Sequence, residues 1–194
     1  MFATILNVAQ GAGYPLLFGL ILAESGGVPV PGETALITTA ALAGQGKLSI
    51  ALVIPLAACA AILGDNLGYL LGRRFGRGLL ERPGVLVAHR HRVLALADPF
   101  FARHGPKAVF FGRWILGLRT WAAWLAGASH MHWRSFALWN ATGAVSWAST
   151  VGLVAYLLGK STAGVFTVFG LIGFVAALAA GGVIITRRAA DASP

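Results

Sequence analysis

The stretch Glu24-Ser-Gly-Gly-Val-Pro-Val-Pro-Gly-Glu33 interrupts an apolar region that covers residues 14–45. Its two prolines and three glycines lie between two acids and would stop an α-helix there. Broken backbone at membrane depth is tolerated only where it is buried in protein or faces a watery cavity. The stretch therefore predicts a re-entrant helical hairpin, in which two helices enter and leave a membrane on the same side.

The composition also indicates a membrane environment. Hydrophobic residues make up 57% of the 194 residues and charged residues 11%. A soluble domain carries about 25% charged residues, so this chain has too few to cover a surface in water. We therefore expect residues 1–194 to form a single membrane domain. The start of the chain has no basic segment or cleavage pattern, so we expect no removable signal peptide.

Three further segments are long and apolar enough to cross a bilayer. Residues 48–71 contain one charge, whereas residues 136–158 and 163–186 contain none. A bilayer core of about 30 Å needs about 20 helical residues. Residues 108–128 are also apolar but contain two arginines, and they predict a second re-entrant hairpin.

The distribution of basic residues predicts the orientation. Residues 73–107 carry eight Lys and Arg, and they form the basic cytoplasmic segment of the predicted topology. The first hairpin then enters from outside and the second from inside, with the C-terminus in the cytoplasm. The predicted fold is an all-α polytopic membrane protein. It contains an inverted repeat of re-entrant hairpin plus transmembrane helix, a plan of many transporters, and an additional C-terminal transmembrane helix. The net charge of +9 is explained by such loops, so we expect no nucleic-acid binding.

The acids of the first hairpin are candidate proton or ion sites. Glu24 and Glu33 are the only charged residues before Lys47. A charge at the bilayer centre costs at least about 2.5–3.5 kcal/mol, so such residues are usually paired or functional. Neighbouring buried carboxyl groups can exchange protons near neutral pH. The structural alternative is that Glu33 only favours the positive end of a helix that starts nearby.

A third acid lies in Gly64-Asp65-Asn66-Leu67-Gly68-Tyr69-Leu70-Leu71-Gly72-Arg73. The three glycines recur every four residues and predict one smooth helix face for close packing. Asp65 and Tyr69 lie on the neighbouring stripe. We expect Asp65 inside the protein, either as a coupling carboxylate or as the partner of an arginine that holds the two halves together.

Two arginines are candidate ligands for an anion. Arg113 and Arg119 are six residues apart, a spacing that does not place them on one face of a straight helix. A bend at Gly117 would let both guanidinium groups converge. Arginine stays charged when buried and offers a planar fork of donors that suits phosphate. Ion pairs with the acids are the simple alternative.

Other residues do not indicate a metal, a cofactor or catalysis. Two His-x-His pairs, His89/His91 and His130/His132, lack further ligands, so we expect no metal site. No Lys/Arg–His–Asp set resembles that of the common membrane phosphatases, so we do not expect an enzyme. The tryptophans are interpreted as interface and packing aromatics: Trp114, Trp121, Trp124, Trp133, Trp139 and Trp147.

These motifs resemble the DedA family of bacterial membrane proteins, also described as SNARE-associated or VTT-domain proteins. The resemblance rests on E-x-x-x-x-P-x-P-G-E at residues 24–33 and G-D-x-x-G-Y-x-x-G-R at residues 64–73. It also rests on residues 111–120, 126–127 and 139–143. Family members commonly have a proline where this chain has Leu116, which leaves the predicted bend to Gly117.

The resemblance implies a multi-pass protein of the bacterial cell membrane that moves lipid carriers, notably undecaprenyl phosphate, in dependence on a proton or sodium gradient. The essential residues it implies are Glu24, Glu33, Asp65, Arg113 and Arg119. The supporting motif residues are Pro29, Pro31, Gly32, Gly64, Gly68, Tyr69, Gly72 and Gly117.

The expected function is therefore a flippase that returns a polyprenyl phosphate to the inner leaflet. The arginines would bind the phosphate, and the acids would exchange protons or sodium. A nonselective phospholipid scramblase and a small-ion exchanger are the alternatives. A homo-oligomer is compatible with each of them.

Overall fold

The computed structural model describes residues 2–80, 105–114 and 118–161 of the chain. Within these residues the chain forms α-helices and no β-strand, as predicted for an all-α protein. The helices are α1 (Phe2–Ser25), α2 (Gly32–Gly44), α3 (Ile50–Leu80), α4 (Lys107–Gly112), α5 (Leu118–Ala128) and α6 (Trp133–Gly159).

Some predicted features fall outside the described residues. They are the C-terminal span at residues 163–186, most of the basic segment at residues 73–107, the pair His89/His91, and the predicted bend at Leu116 and Gly117. These remain predictions.

The chain breaks between α1 and α2 at the prolines and glycines that predict the break. The backbone turns at Gly27, whose φ of +107° lies in the left-handed region that favours glycine. Pro31 directly precedes the first residue of α2. The first N–H groups of a helix have no intrahelical partner, so a proline there removes no helical hydrogen bond. α1 and α2 pack against each other.

Two helices are longer than the predicted segments. α1 begins at Phe2 rather than near residue 14, and residues 2–13 contain no proline that would break it. α3 ends at Leu80 rather than at residue 71. The added turns of α3 carry arginines, whose long side chains can reach water from the end of a membrane helix.

α3 and α6 are long and apolar enough to cross a membrane, judged by length and composition. Residues Ile50–Phe75 of α3 reach a mean hydropathy of 2.0, and α6 reaches 1.4. Both helices expose large apolar side chains, among them Leu67 at 49%, Leu138 at 64% and Leu157 at 61%. Such a surface is unfavourable in water, but lipid tails are as apolar as leucine. The exposed faces of α3 and α6 therefore suit a lipid environment.

The two halves of the described chain pack in the same pattern. In each half two helices, α1 and α2 or α4 and α5, precede a long helix. The long helix of one half packs against the second short helix of the other: α3 against α5, and α6 against α2. The long helices also contact each other. Exchange of the two halves thus relates these two crossings to each other.

Glycines allow a close approach at both of these crossings. On each helix a glycine faces the partner's backbone, and a Cβ built on it would overlap a carbonyl oxygen. The glycines, each with the residue whose carbonyl it faces, are Gly72 (Trp124), Gly127 (Tyr69), Gly44 (Tyr156) and Gly159 (Ala41). Small residues bring membrane helices close enough for extensive van der Waals contact. Facing glycines therefore allow the close approach of the helices at both the α3–α5 and the α2–α6 crossing.

Replacing Gly72 with alanine is expected to destabilise the protein by about 1–3 kcal/mol, because the added methyl group overlaps backbone rather than a flexible side chain. Gly19→Ala is the matched control, since its Cβ would meet no atom within 4 Å. We expect Gly19→Ala to be neutral or to stabilise the helix by up to about 1 kcal/mol. Thermal unfolding of the purified protein in detergent measures both changes. Equal midpoints for the two variants would contradict the close crossing.

Candidate functional site

Arg119 joins both parts of the broken segment α1–α2 to α5. Its Nη2 donates to Oε1 of Glu24 at 2.5 Å, and its Nη1 lies 3.2 Å from Oε2 of Glu33. Glu24 is in the last turn of α1, and Glu33 is in the first turn of α2. The planar guanidinium fork thus bridges two carboxylates that flank the helix break, a geometry that suits arginine.

Arg113 joins the end of α4 to both long helices. Its Nη1 forms an ion pair with Asp65 of α3 and donates to Oδ1 of Asn140 of α6 at 3.0 Å. Asn140 in turn donates from Nδ2 to the Ile62 carbonyl at 3.4 Å. All three side chains are buried. The buried Nε of Arg113 has no hydrogen-bond partner among the described residues.

Trp147 of α6 lies against both arginines. Its ring centroid is 5.6 Å from Cζ of Arg113 and 5.0 Å from Cζ of Arg119, within the range of a cation–π interaction. Trp147 is 4% exposed. The sequence interpretation of Trp147 as a general packing or interface residue overlooked this position. Asn140 and Trp147 are seven residues apart, which places them two turns apart on one helix face, and this spacing was the available signal.

Pockets lie around the charged side chains, and two of them share the lining residues Arg113, Arg119 and Trp147. The inner pocket, of about 10 Å³, is lined by Glu24, Ser25, Asp65, Arg113, Arg119 and Trp147. The side pocket, of about 80 Å³, is lined by Glu33, Arg113, Trp114, Arg119, Trp147 and Val151. Because a water molecule needs about 10–15 Å³, the inner pocket admits about one water, whereas the side pocket admits more.

The structure therefore brings together all five charged residues that the sequence singled out. They come from α1, α2, α3, α5 and the end of α4, so the cluster depends on tertiary packing of both halves. Three carboxylates against two guanidinium groups leave one net negative charge when all are ionised. The five charged residues of the cluster are Glu24, Glu33, Asp65, Arg113 and Arg119.

Several motif residues shape the protein around this cluster. Gly32 lies under Glu24, and a Cβ on it would overlap Oε2 of that side chain. Gly64 approaches the end of α1, where a Cβ would come within 2.7 Å of Cβ of Ser25. Pro29 is an exposed residue in the break.

Other motif residues lie outside the charged cluster. Gly68 and Gly72 face Trp124 on α5. The ring of Tyr69 stacks on that of Phe136 with 4.5 Å between centroids. The Tyr69 hydroxyl donates to the Met131 carbonyl at 2.5 Å. Tyr69 thus belongs to a packing cluster.

Trp124, interpreted from the sequence only as an interface or packing aromatic, joins α5 to the α1–α2 break. Its Nε1 donates to the Gly26 carbonyl at 3.0 Å, two residues after Glu24. The indole also faces Gly27 and Gly68. A Cβ at Gly27 would overlap the ring at 2.7 Å from Nε1, whereas a Cβ at Gly68 would make a tight contact at 3.1 Å. Both glycines therefore let the indole pack closely between α5, α3 and the α1–α2 break.

Comparison with known proteins relates most of the chain to one family. The VTT domain matches residues 30–161. An uncharacterized membrane protein of Synechocystis is 39% identical over 157 residues, covering 81% of this chain and 72% of the relative. An uncharacterized membrane protein of Mycobacterium tuberculosis is 36% identical over 175 residues, covering 87% and 79%.

A relative with a given name is also similar. Protein DedA of Escherichia coli K12 is 32% identical over 151 residues, covering 75% of this chain and 68% of the relative. No solved structure matches the chain significantly. The matched residues 30–161 contain four of the five charged site residues, and Glu24 lies six residues before the match. The chain is therefore a membrane protein of the VTT-domain family, to which Protein DedA belongs.

Proposed function

We propose that this protein moves a lipid phosphate, such as a polyprenyl phosphate, from one membrane leaflet to the other, coupled to a proton or sodium gradient. The observation that carries the proposal is the cluster of two arginines and three acids beside pockets between the helices. A phosphate in hydrocarbon is prohibitively unfavourable unless it is paired. The two guanidinium groups provide that pairing, while the isoprenoid tail stays in lipid.

In this proposal the broken segments are re-entrant hairpins related by an inverted repeat. The packing of α3 against α5 corresponds to the packing of α6 against α2 in the other half, and this correspondence supports the repeat. The facing glycines at both crossings support it as well. Binding near the midplane where broken helices meet is typical of inverted-repeat transporters. The two halves can then alternate around one fixed site.

The proposed location is the bacterial cell membrane, with the C-terminus in the cytoplasm. The basic residues of segment 73–107 support this orientation. The lipid substrate would then enter from the outer leaflet and leave to the inner one. The acids of the site would couple lipid movement to the ion gradient. In the absence of substrate the carboxylates pair with the arginines. When a phosphate binds the arginines, a carboxylate must find another partner or lose its charge.

A reconstitution experiment tests the function. Purified wild-type protein and the double variant Arg113→Ala/Arg119→Ala are placed in liposomes with a fluorescent polyprenyl phosphate, with and without a pH gradient. We expect wild-type flipping that responds to the gradient and loss of flipping in the double variant. Equal flipping by both proteins would refute the assignment.

Two further measurements separate the alternatives in the same liposomes. Movement of a zwitterionic phospholipid that ignores the gradient would identify a scramblase. Ion flux without movement of any lipid would identify a small-ion exchanger. A phosphate-selective, gradient-dependent signal is the expected result.

A further inference from the structure

The two arginines of the cluster have different surroundings. Arg113 is 9% exposed and is held by Asp65 and Asn140, which are 3% and 1% exposed. A buried pair of this kind is difficult to separate, because each partner would be left as an uncompensated charge. Arg119 is instead shared between Glu24 and Glu33. Arg119 is therefore the arginine whose partners can change.

The two glutamates that share Arg119 also differ. Glu24 makes the shorter contact, 2.5 Å against 3.2 Å for Glu33, and its side chain is 18% exposed against 33%. Gly32 packs directly against Oε2 of Glu24 and limits its movement. Glu33 lines the larger side pocket. Glu33 is thus the weaker and more accessible of the two partners.

The charge of the cluster requires a change when an anion binds. Three carboxylates and two guanidinium groups already leave one net negative charge. A phosphate monoester adds about −1.5 to −2 at pH 7. In a poorly solvated pocket that repulsion is severe, so one carboxylate must move away or gain a proton.

We propose, on the basis of the function proposed above, that the phosphate headgroup replaces Glu33 on Arg119, and that the displaced Glu33 carboxylate takes up one proton from water. The contacts of Arg119 with Glu24 and of Arg113 with Asp65 remain in place. The side pocket receives the headgroup beside Nη1 of Arg119, and the unpartnered Nε of Arg113 provides a further donor. One proton then accompanies each lipid phosphate.

The groups around Glu33 are consistent with this exchange. α5 contributes Arg119 and the end of α4 contributes Arg113, whereas α6 contributes the uncharged Trp147 and Val151 to the same pocket. α1 contributes Glu24 through the shared Arg119. When phosphate occupies Arg119, Glu33 faces negative charge and has lost its cation. Both changes favour the protonated carboxyl group.

Calorimetry on the full chain in lipid nanodiscs tests the exchange, with farnesyl phosphate as the probe. Titration in two buffers of different ionisation enthalpy gives the number of protons taken up per ligand. We expect about one proton for the wild type and none for Glu33→Gln, since the amide cannot titrate. Glu33→Gln should also bind at least about tenfold more tightly, because the phosphate no longer has to break the Glu33–Arg119 ion pair and no carboxylate has to gain a proton.

Two matched variants complete the test. Glu24→Gln should keep the proton uptake, because the Glu33 carboxylate that gains the proton is still present. Glu33→Asp, whose shorter carboxylate reaches Arg119 less well, should bind more tightly than wild type and keep the uptake. It serves in place of Glu33→Gln if that variant does not fold.

The outcomes separate the proposed replacement of Glu33 by phosphate from the proposed transport of a lipid phosphate. Unchanged proton uptake in Glu33→Gln, or unchanged affinity in the Glu33 variants, overturns the exchange while the binding of lipid phosphate stands. Failure of every folded form to bind farnesyl phosphate, together with no flipping in liposomes, overturns both.

Discussion

Asp65→Asn is expected to destabilise the protein by about 3–5 kcal/mol, because it leaves the buried Arg113 without a counter-charge. Asparagine has nearly the shape of aspartate, so the change removes charge without creating a cavity. The variant should elute as aggregate in size-exclusion chromatography or unfold at a markedly lower temperature in detergent.

A second variant distinguishes an unpaired charge from other damage at this position. Asp65→Asn/Arg113→Gln removes both charges and should recover most of the lost stability, because the penalty arises from the isolated guanidinium group. We expect it to remain inactive in flipping, since Arg113 is absent. Wild-type stability of the Asp65→Asn single variant would mean that Arg113 does not depend on Asp65.

The sequence predicted which residues meet better than it predicted how they pair. The prolines and glycines between Glu24 and Glu33 act locally on the backbone, so the break between α1 and α2 follows from them directly. The charged residues are rare in an apolar chain, and the unfavourable energy of exposing them to lipid predicts that they converge. Their meeting at one cluster is in keeping with that prediction.

Which acid pairs with which arginine depends on tertiary packing, and the spacing of these residues along the sequence does not show that packing. Asp65 was given two equal interpretations, a coupling carboxylate or an arginine partner, and the structure places it on Arg113. Which acid faces which arginine is decided by the crossings of α3 with α5 and of α2 with α6. The α3–α5 crossing uses Gly72, which the sequence motif indicates, whereas the α2–α6 crossing uses Gly44 and Gly159, which belong to no such motif.

Trp147 illustrates a different difficulty. The chain has six tryptophans, and its composition does not distinguish one of them from another. Most tryptophans in such a chain pack against lipid or in the core. Only the position of Trp147 beside both guanidinium groups sets it apart. Its two contacts are with residues that are distant in the chain, so the seven-residue spacing from Asn140 indicates a shared helix face but not the contact with either arginine.

Arg119→Lys is expected to reduce the rate of lipid-phosphate flipping by about ten- to a hundredfold, because one charge-assisted hydrogen bond worth about 1.5–3 kcal/mol is lost. Lysine keeps the positive charge but is a compact ammonium on a flexible stem. It cannot span Glu24 and Glu33 as the planar fork does. The measurement is the initial flipping rate in liposomes at equal protein content.

The matched control is Arg134→Lys, the same chemical change at an exposed position near the start of α6. It should flip lipid at the wild-type rate, and thermal unfolding should show both variants folded. Wild-type flipping by a folded Arg119→Lys would mean that a point charge suffices at this position, and the bidentate geometry would then have no part in transport. The expected loss instead follows from geometry at constant charge. It would show that the site works through the planar guanidinium fork, which can release one carboxylate for a phosphate and still hold the other.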